Sequence, residues 1–455
     1  MKVQQTLAPA TLSSHPVNAG QLHAGKGMLS QLSNWLAGRP AQALSAQEGR
    51  ATLAVFLIIA FCFNALPPNF TFSGTTEASA DGSLINQFFW FGMLLLALSA
   101  VINTARSASG LYVKAMPLLA LCLLLVASSL WSLAPAISLR RAILECIVVG
   151  SILVNVASLQ RAEQAFIILY RVAAITLVFE LVMLLRANGF DETGLFRGIH
   201  TQKNVLGLVG AVAVLCGVWV RKSGGLRSLH WNTAYLVGWL ALLVLSRSKT
   251  SLALILVAPA IALGLQKFAR SLKGGVGVPL LGFLALAYSV FAVAFISGVD
   301  VGSGIEHWVH RLGFTGRDDI WQFLTARFLE HPWLGHGYGG FWDIGPAAPN
   351  VRYGTGFIPM INQAHNGYLD LLLALGLTGL VAYLCVFAGF LFCLSSAERK
   401  AQQGSLALCW TLVVFSLLHN FTETTLLRGY SLVWVVQLIA MAITYRLAHE
   451  ARRSA

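Results

Sequence analysis

Charge is what this sequence lacks. Only 11% of its 455 residues are Asp, Glu, Lys or Arg, whereas a soluble domain carries about a quarter. Apolar residues make up 56% of the chain, and the mean hydropathy is +0.70. This excludes an ordinary soluble globular domain and points to a polytopic membrane protein. Metal and redox patterns are missing as well. The seven cysteines, Cys62, Cys122, Cys146, Cys216, Cys385, Cys393 and Cys409, all fall in apolar stretches, with no CxxC and no mixed Cys/His cluster. They read as small core residues, and no metal site is expected. No Gly-rich phosphate loop or dinucleotide fingerprint is present, so no cofactor is expected. The formal charge is +13, but the basic residues lie between apolar runs and form no single patch, which argues against a nucleic-acid partner. Residues 1–50 have no sustained apolar period and read as a disordered cytoplasmic tail. The first apolar run begins near Ala51, too far along for a signal peptide, and the Ala78-Ser79-Ala80 triplet is too distant from it to be its cleavage site.

The rest of the chain reads as an all-α membrane domain over residues 51–447, with a short cytoplasmic tail at 448–455. A span needs roughly 20 apolar residues. Twelve candidates have centres near residues 59, 94, 122, 148, 175, 212, 239, 258, 287, 380, 412 and 438. The stretch from Trp231 to Gln266 would make one helix about 50 Å long at about 1.5 Å per residue, against a core about 30 Å thick. It is expected to be a hairpin with SRSKT, 246–250, at its tip.

The positive-inside rule then places both termini in the cytoplasm. Arg106, Lys114, Arg161, Arg221, Lys222, Arg227, Lys267, Arg270, Lys273, Arg399, Lys400, Arg446, Arg452 and Arg453 fall on that side. The opposite face receives the 67–83 loop, which has no Lys or Arg, the SRSKT tip and a polar, aromatic loop at 298–365. Its cations sit inside short motifs: Arg197 and Lys203, Arg247 and Lys249, Arg311 and Arg317, and Arg428. Positive charge is avoided there, so as a group these residues point to an anionic partner.

The motifs supply candidate roles. In FRGIHTQKNVLG, 196–207, Lys203 and Asn204 stand at a helix start, where backbone N–H groups favour anions; a lysine snorkelling at the interface is the alternative. SRSKT crowds two cations and three hydroxyls into a turn that suits a diphosphate or is simply a polar surface turn. In TGRDDIW, 315–321, Thr315 is placed to cap a helix, and Arg317 falls in its first turn, an unfavourable place for a cation; a ligand role or a local pair with an Asp would explain it. HPWLGHGYGGFW, 331–342, offers the rings of Trp333, Tyr338, Phe341 and Trp342, expected mainly to pack at the interface, together with His331 and His336 in structural roles. In AHNGYLDLLLALGL, 364–377, the helix start favours a neutral His365, which can act as a base. HNFTETTLLRG, 419–429, puts Glu423 on the outer side, while Glu145, Arg171 and Glu180 sit within spans, and Arg141 and Glu145 are spaced to pair.

Taken together, from about residue 190 to 445, these motifs resemble the bacterial O-antigen ligase and polysaccharide polymerase superfamily, nearest to exopolysaccharide polymerases of the ExoQ type. The resemblance rests on Lys203–Asn204, SRSKT, TGRDDIW, HPWLGHGYGGFW, AHNGYLDLLLALGL and the NFTE segment from Asn420. It implies a metal-independent glycosyltransferase that uses an undecaprenyl-diphosphate-linked oligosaccharide at the periplasmic face of the inner membrane. Carried over, Arg247 and Arg317 are diphosphate ligands, with Lys249 and Lys203 grouped beside them, and His365 is the base. Asn366, Asn204, Glu423 and His336 are placed as supporting or acceptor-side residues. Implied partners are membrane lipid, a flippase and a chain-length regulator. The product is either a lengthened exopolysaccharide or, as an O-antigen ligase, a glycan on lipid A core. A lipid-linked oligosaccharide transporter is a third reading, disfavoured because the unusual polar residues gather at one face instead of along a path.

This topology predicts that, in a cysteine-free background, a cysteine at Ser303 is labelled from outside the cell and one at Ser228 is not. The reverse pattern would put the motifs on the wrong face.

Overall fold

Helix formation follows the apolar runs closely. The structure is a computed structural model that describes residues 45–65, 84–223, 229–271, 317–398, 403–429 and 431–453. Its helices are α1 (Ala46–Cys62), α2 (Leu84–Lys114), α3 (Met116–Ala127), α4 (Pro135–Ser158), α5 (Gln164–Met183), α6 (Lys203–Ser223), α7 (Leu229–Leu245), α8 (Lys249–Ser271), α9 (Arg317–Glu330), the short α10 (Pro349–Tyr353), α11 (Gly367–Ala397), α12 (Gln403–His419) and α13 (Leu432–Arg453). Among the described residues there is no strand, only an isolated bridge between Phe190 and Phe196. Helices stand at eleven of the twelve expected centres. The centre near 287 lies outside the described residues, as do residues 1–44 of the expected 1–50 tail, the 298–316 part of the polar loop and the expected cap at Thr315. Residues 46–50 of that tail are instead the start of α1, because Ser45 caps a free N–H of its first turn. Among the described residues, five helices, α5, α6, α8, α11 and α13, are long and apolar enough by length and composition to cross a membrane.

Local signals set the helix starts. Ser45 and Glu48 form a capping box on α1. Pro117 and Pro135 sit in the opening residues of α3 and α4, where a missing N–H costs nothing. SRSKT is the turn between α7 and α8, and these helices diverge from it: α7 packs on α6, α8 on α12. α13 occupies the centre, with 89% of its apolar window buried against 28% for α8. It packs on α11, α12 and α4. Inside that core Ser416 donates to Gln437 (2.6 Å), whose amide donates to the Tyr383 hydroxyl (2.9 Å), so α12, α13 and α11 share one satisfied polar bridge. Arg446, at the other end of α13, gives its guanidinium to the carbonyl of Val156 in the last turn of α4 and to those of Leu159 and Gln160 just beyond it.

Arg141 and Glu145, spaced to pair, have different partners. Arg141 donates to the carbonyls of Gly339, Trp342 and Asp343. Glu145 accepts from the Trp434 indole at 2.6 Å and lies 3.4 Å from the Tyr338 hydroxyl. The two residues thereby tie the 331–343 loop and α13 to α4. Glu180 is matched inside the protein by His200 at 3.0 Å, both side chains fully buried, and this joins the segment before α6 to α5.

The 331–342 loop is built into α11. At Gly376 α11 leaves helical geometry (φ 63°, ψ −159°), a region open essentially to glycine. The interruption frees backbone groups, and the loop satisfies them. Leu377 N–H donates to Pro332 O (2.8 Å), Thr378 N–H to Trp333 O (3.1 Å), and Leu373 O accepts from His336 N–H (2.8 Å). A Cβ on Gly376 would stand 2.3 Å from the Trp333 backbone. Non-helical backbone in an apolar helix is stable where protein, and not lipid, meets its polar groups.

Gly376→Ala is therefore expected to be destabilised by at least about 1–3 kcal/mol from backbone strain alone, read as a lowered unfolding temperature in detergent. Gly264→Ala, in open space on α8, should be neutral or stabilised by up to about 1 kcal/mol. Equal melting of the two variants would refute the interlock.

Candidate active site

The site is assembled where the start of α11 meets the α12–α13 connection and the start of α9. Asn366 caps α11, its side-chain oxygen accepting from Tyr368 N–H (3.0 Å) and Leu369 N–H (3.1 Å). The residue before it, His365, has φ +51°, left-handed geometry that a non-glycine residue holds only where its surroundings enforce it. Here the enforcement is visible. Ala364 N–H is held by Asp370 (3.2 Å) and Ala364 O by the Trp321 indole (2.9 Å). Asp370 also takes the Trp342 indole N–H at 2.7 Å and lies 3.6 Å from Arg428. The strap carrying His365 is thus clamped from α9, α11 and the 331–343 loop at once.

Asn420 shapes the opposite wall. Its side-chain oxygen accepts from Thr425 N–H and Leu426 N–H (3.0 and 2.9 Å), and its amide donates to Ser416 O (2.8 Å). Its own carbonyl takes Gly367 N–H (2.8 Å). A side chain at Gly367 would collide with Asn420, so the contact requires glycine directly after the His–Asn pair. This docking brings Glu423 to His365. Glu423 Oε2 is 3.1 Å from His365 Nδ1, and Glu423 Oε1 accepts from Arg317 at 3.2 Å. Arg317 also donates to Thr422 O. One carboxylate therefore holds a guanidinium with one oxygen and an imidazole with the other. The three side chains are 22–30% exposed, accessible from solvent yet oriented.

Electrostatics follow from this geometry. Burial acts to raise the Glu423 carboxyl, but the hydrogen bond and charge of His365 and then the Arg317 charge outweigh it, holding the group below its ordinary value. An ionised carboxylate only accepts, so in the neutral ring Nδ1 carries the proton and Nε2 the lone pair. The ring thus presents an acceptor nitrogen on the side away from Glu423.

A second group of candidates lies at the α6 and α7–α8 ends. Gly207 on α6 meets Ser246 and Ser248 so closely that no Cβ would fit, which places the Lys203–Asn204 helix start beside SRSKT. Arg247 has φ +50°. Arg247, Lys249 and Asn204 are exposed and Lys203 is half-buried. The serine hydroxyls of the turn face inward: Ser246 donates to Leu243 O (2.7 Å) and Ser248 to Ser251 (3.0 Å). The cations of this motif, and not these hydroxyls, remain to meet a ligand.

His336 takes no part in either group. It is buried, Nδ1 lies 3.1 Å from Leu373 O, and its ring packs edge-on against Phe341 and His331. Burial lowers its pKa against the opposing bond to Leu373. Its role is the α11 interlock. The rings expected at the interface divide: Trp333 is 68% exposed, whereas Phe341 is buried and Tyr338 and Trp342 use their polar atoms inside. The roles of Asp370, Asn420 and Trp321 escaped sequence reasoning, because the contacts that join the segments, Trp342 to Asp370, Gly367 to Asn420 and Trp321 to Ala364, are remote in sequence. Among the described residues no three His, Cys, Asp or Glu side chains gather to hold a metal.

In a comparison with known proteins, residues 234–384 fit the family model described as O-antigen ligase. An O-antigen ligase from Pseudomonas aeruginosa PAO1 is 31% identical over 144 residues, 31% of this chain and 33% of that protein. The alignment thus spans about a third of the relative. The matched segment contains Arg247, Lys249, Arg317, His365 and Asn366; Lys203 and Asn204 precede it and Glu423 follows it.

Because the Glu423 value is depressed on folding, its contribution to stability is fully present above the ordinary carboxylate range and is lost as pH falls through the lower folded value. The unfolding-temperature difference between the wild type and Glu423→Gln should persist down to the ordinary carboxylate pKa of about 4.3 and shrink as the pH falls below it. A difference that collapsed between about pH 7 and 6 would mean a raised carboxyl.

Proposed function

We propose that the protein transfers a glycan from an undecaprenyl-diphosphate-linked donor to an acceptor hydroxyl at the periplasmic face of the inner membrane, without a metal. The observation that supports this most is the placement of a guanidinium and an imidazole on one carboxylate, two of the three within the matched segment. The donor diphosphate sits against Arg317 and Arg247, with Lys249 and Lys203 adding positive charge. His365 Nε2 takes the proton of the acceptor hydroxyl as its oxygen attacks the anomeric carbon. The bond from that carbon to the diphosphate oxygen breaks, and the electron pair leaves with the diphosphate, whose growing charge the guanidinium groups meet. No enzyme nucleophile is needed, so the anomeric configuration inverts.

Two acceptors fit this chemistry. A second lipid-linked repeat unit makes the protein an exopolysaccharide polymerase of the ExoQ type; lipid A core makes it an O-antigen ligase, the activity named for both the family and the relative. Membrane extracts with labelled donor distinguish them by whether the product remains lipid-diphosphate-linked and longer or moves to lipid A core. A transporter is disfavoured by the oriented histidine, which transport would not require. A chain-length regulator and a flippase are the expected partners of the polymerase form.

In nanodiscs with a synthetic lipid-diphosphate donor, His365→Ala should lose about 10²–10⁴-fold in turnover while retaining donor binding. Arg247→Ala and Arg317→Ala should lose donor binding, and the lysine variants should recover only part, lacking the guanidinium fork. A fully active His365→Ala protein would remove the base from the reading, and a trapped glycosyl-enzyme would replace the single displacement.

A further inference from the structure

Glu423 has two roles in this structure that a bound donor could not leave together. It accepts from Arg317 at 3.2 Å and lies 3.1 Å from His365 Nδ1, with a separate oxygen for each. A diphosphate at Arg317 would compete for the same guanidinium donors, and it would bring negative charge up to a carboxylate that already lies below its ordinary value. The pair is about a quarter exposed, so exchanging one anion for another at Arg317 is inexpensive. His365 cannot follow Arg317 away, because the clamps on Ala364 and the Gly367–Asn420 contact fix the strap to the Glu423 loop.

We propose that Glu423 is a donor-released positioning residue: it guards Arg317 in the empty site, gives Arg317 up to the donor diphosphate, and then serves His365 alone. This rests on the functional reading above and extends it to the order of events. In the empty site Glu423 neutralises Arg317, so stray anions are held less well. With donor bound, the whole carboxylate faces the imidazole, holds the tautomer with Nε2 open, and stabilises the imidazolium once the acceptor proton has arrived. When the lipid diphosphate leaves, Arg317 returns to Glu423, which favours product release. Among the described residues, the charged or titratable groups facing Glu423 are Arg317 from α9, His365 from the strap before α11 and His419 from the end of α12. Glu423 lies beyond the matched family segment, which ends at residue 384; its link to both Arg317 and His365 comes from the geometry.

The signature is an opposition between binding and turnover. In nanodiscs, Glu423→Gln should bind glycan-free undecaprenyl diphosphate about two- to fivefold more tightly, because a competing partner of Arg317 is gone. Turnover with glycosylated donor should fall at least about tenfold, because the imidazole has lost its carboxylate. Placed on Arg317→Ala, the same change should no longer tighten binding. Glu423→Asp, whose shorter arm cannot span both partners, should shift binding and turnover in the same directions and serves if the glutamine variant folds poorly. Binding that weakens in step with turnover in both variants would overturn the proposal, as would unchanged turnover. His365→Ala separates the two levels. If it is inactive while Glu423→Gln turns over normally, the donor-release idea fails and the base stands; if it is active, the functional reading itself fails.

Discussion

The Glu423 carboxylate is the interaction on which the site depends, because it is the place where three remote segments of chain agree. Arg317 opens α9, His365 precedes α11, and Glu423 lies in the α12–α13 connection. Two charge-assisted contacts at 3.1 and 3.2 Å would be weak if the segments were free. They gain significance because each segment is already held by other hydrogen bonds: Asn420 on the connection, Asp370 and Trp321 on the strap, Asn366 on the helix start. Preorganisation of this kind lets a partly exposed site keep its geometry.

The support beneath is mostly backbone chemistry. An apolar helix broken at Gly376 would leave polar groups unsatisfied in lipid. The 331–342 loop answers them, while Arg141 and Glu145 tie the same loop to α4 and α13. His336 and Tyr338 are used in this scaffold. The family match spans 234–384 and ends within α11. Glu423 comes from the final hairpin, so the arrangement joins the matched segment to one beyond it.

Much of the architecture was legible because apolar runs of span length admit few alternatives. The helices at eleven of twelve expected centres and the turn at SRSKT follow from run length and charge spacing alone. Arg317 and His365 stood out because a cation in a helix's first turn and a histidine before a helix both require a reason. Their common partner was not legible. Glu423 was only one acidic residue on the outer side, and nothing local indicates that Asn420 clips its loop to Gly367. Local reasoning also paired Arg141 with Glu145 by helix spacing; the structure directs them to the loop and to Trp434, because broken backbone and a buried indole need them more. The break at Gly376 was hidden for the same reason. A glycine in an apolar helix reads as a small residue until the loop that fills the gap is seen.

The most direct test of this account is a cryo-EM structure of the protein in nanodiscs with undecaprenyl diphosphate bound. The account predicts the diphosphate within hydrogen-bonding distance of the Arg317 guanidinium, Glu423 turned from Arg317 yet still on His365 Nδ1, and Nε2 open toward the position of the missing sugar. A diphosphate bound elsewhere, with the Arg317–Glu423 contact intact, would contradict it.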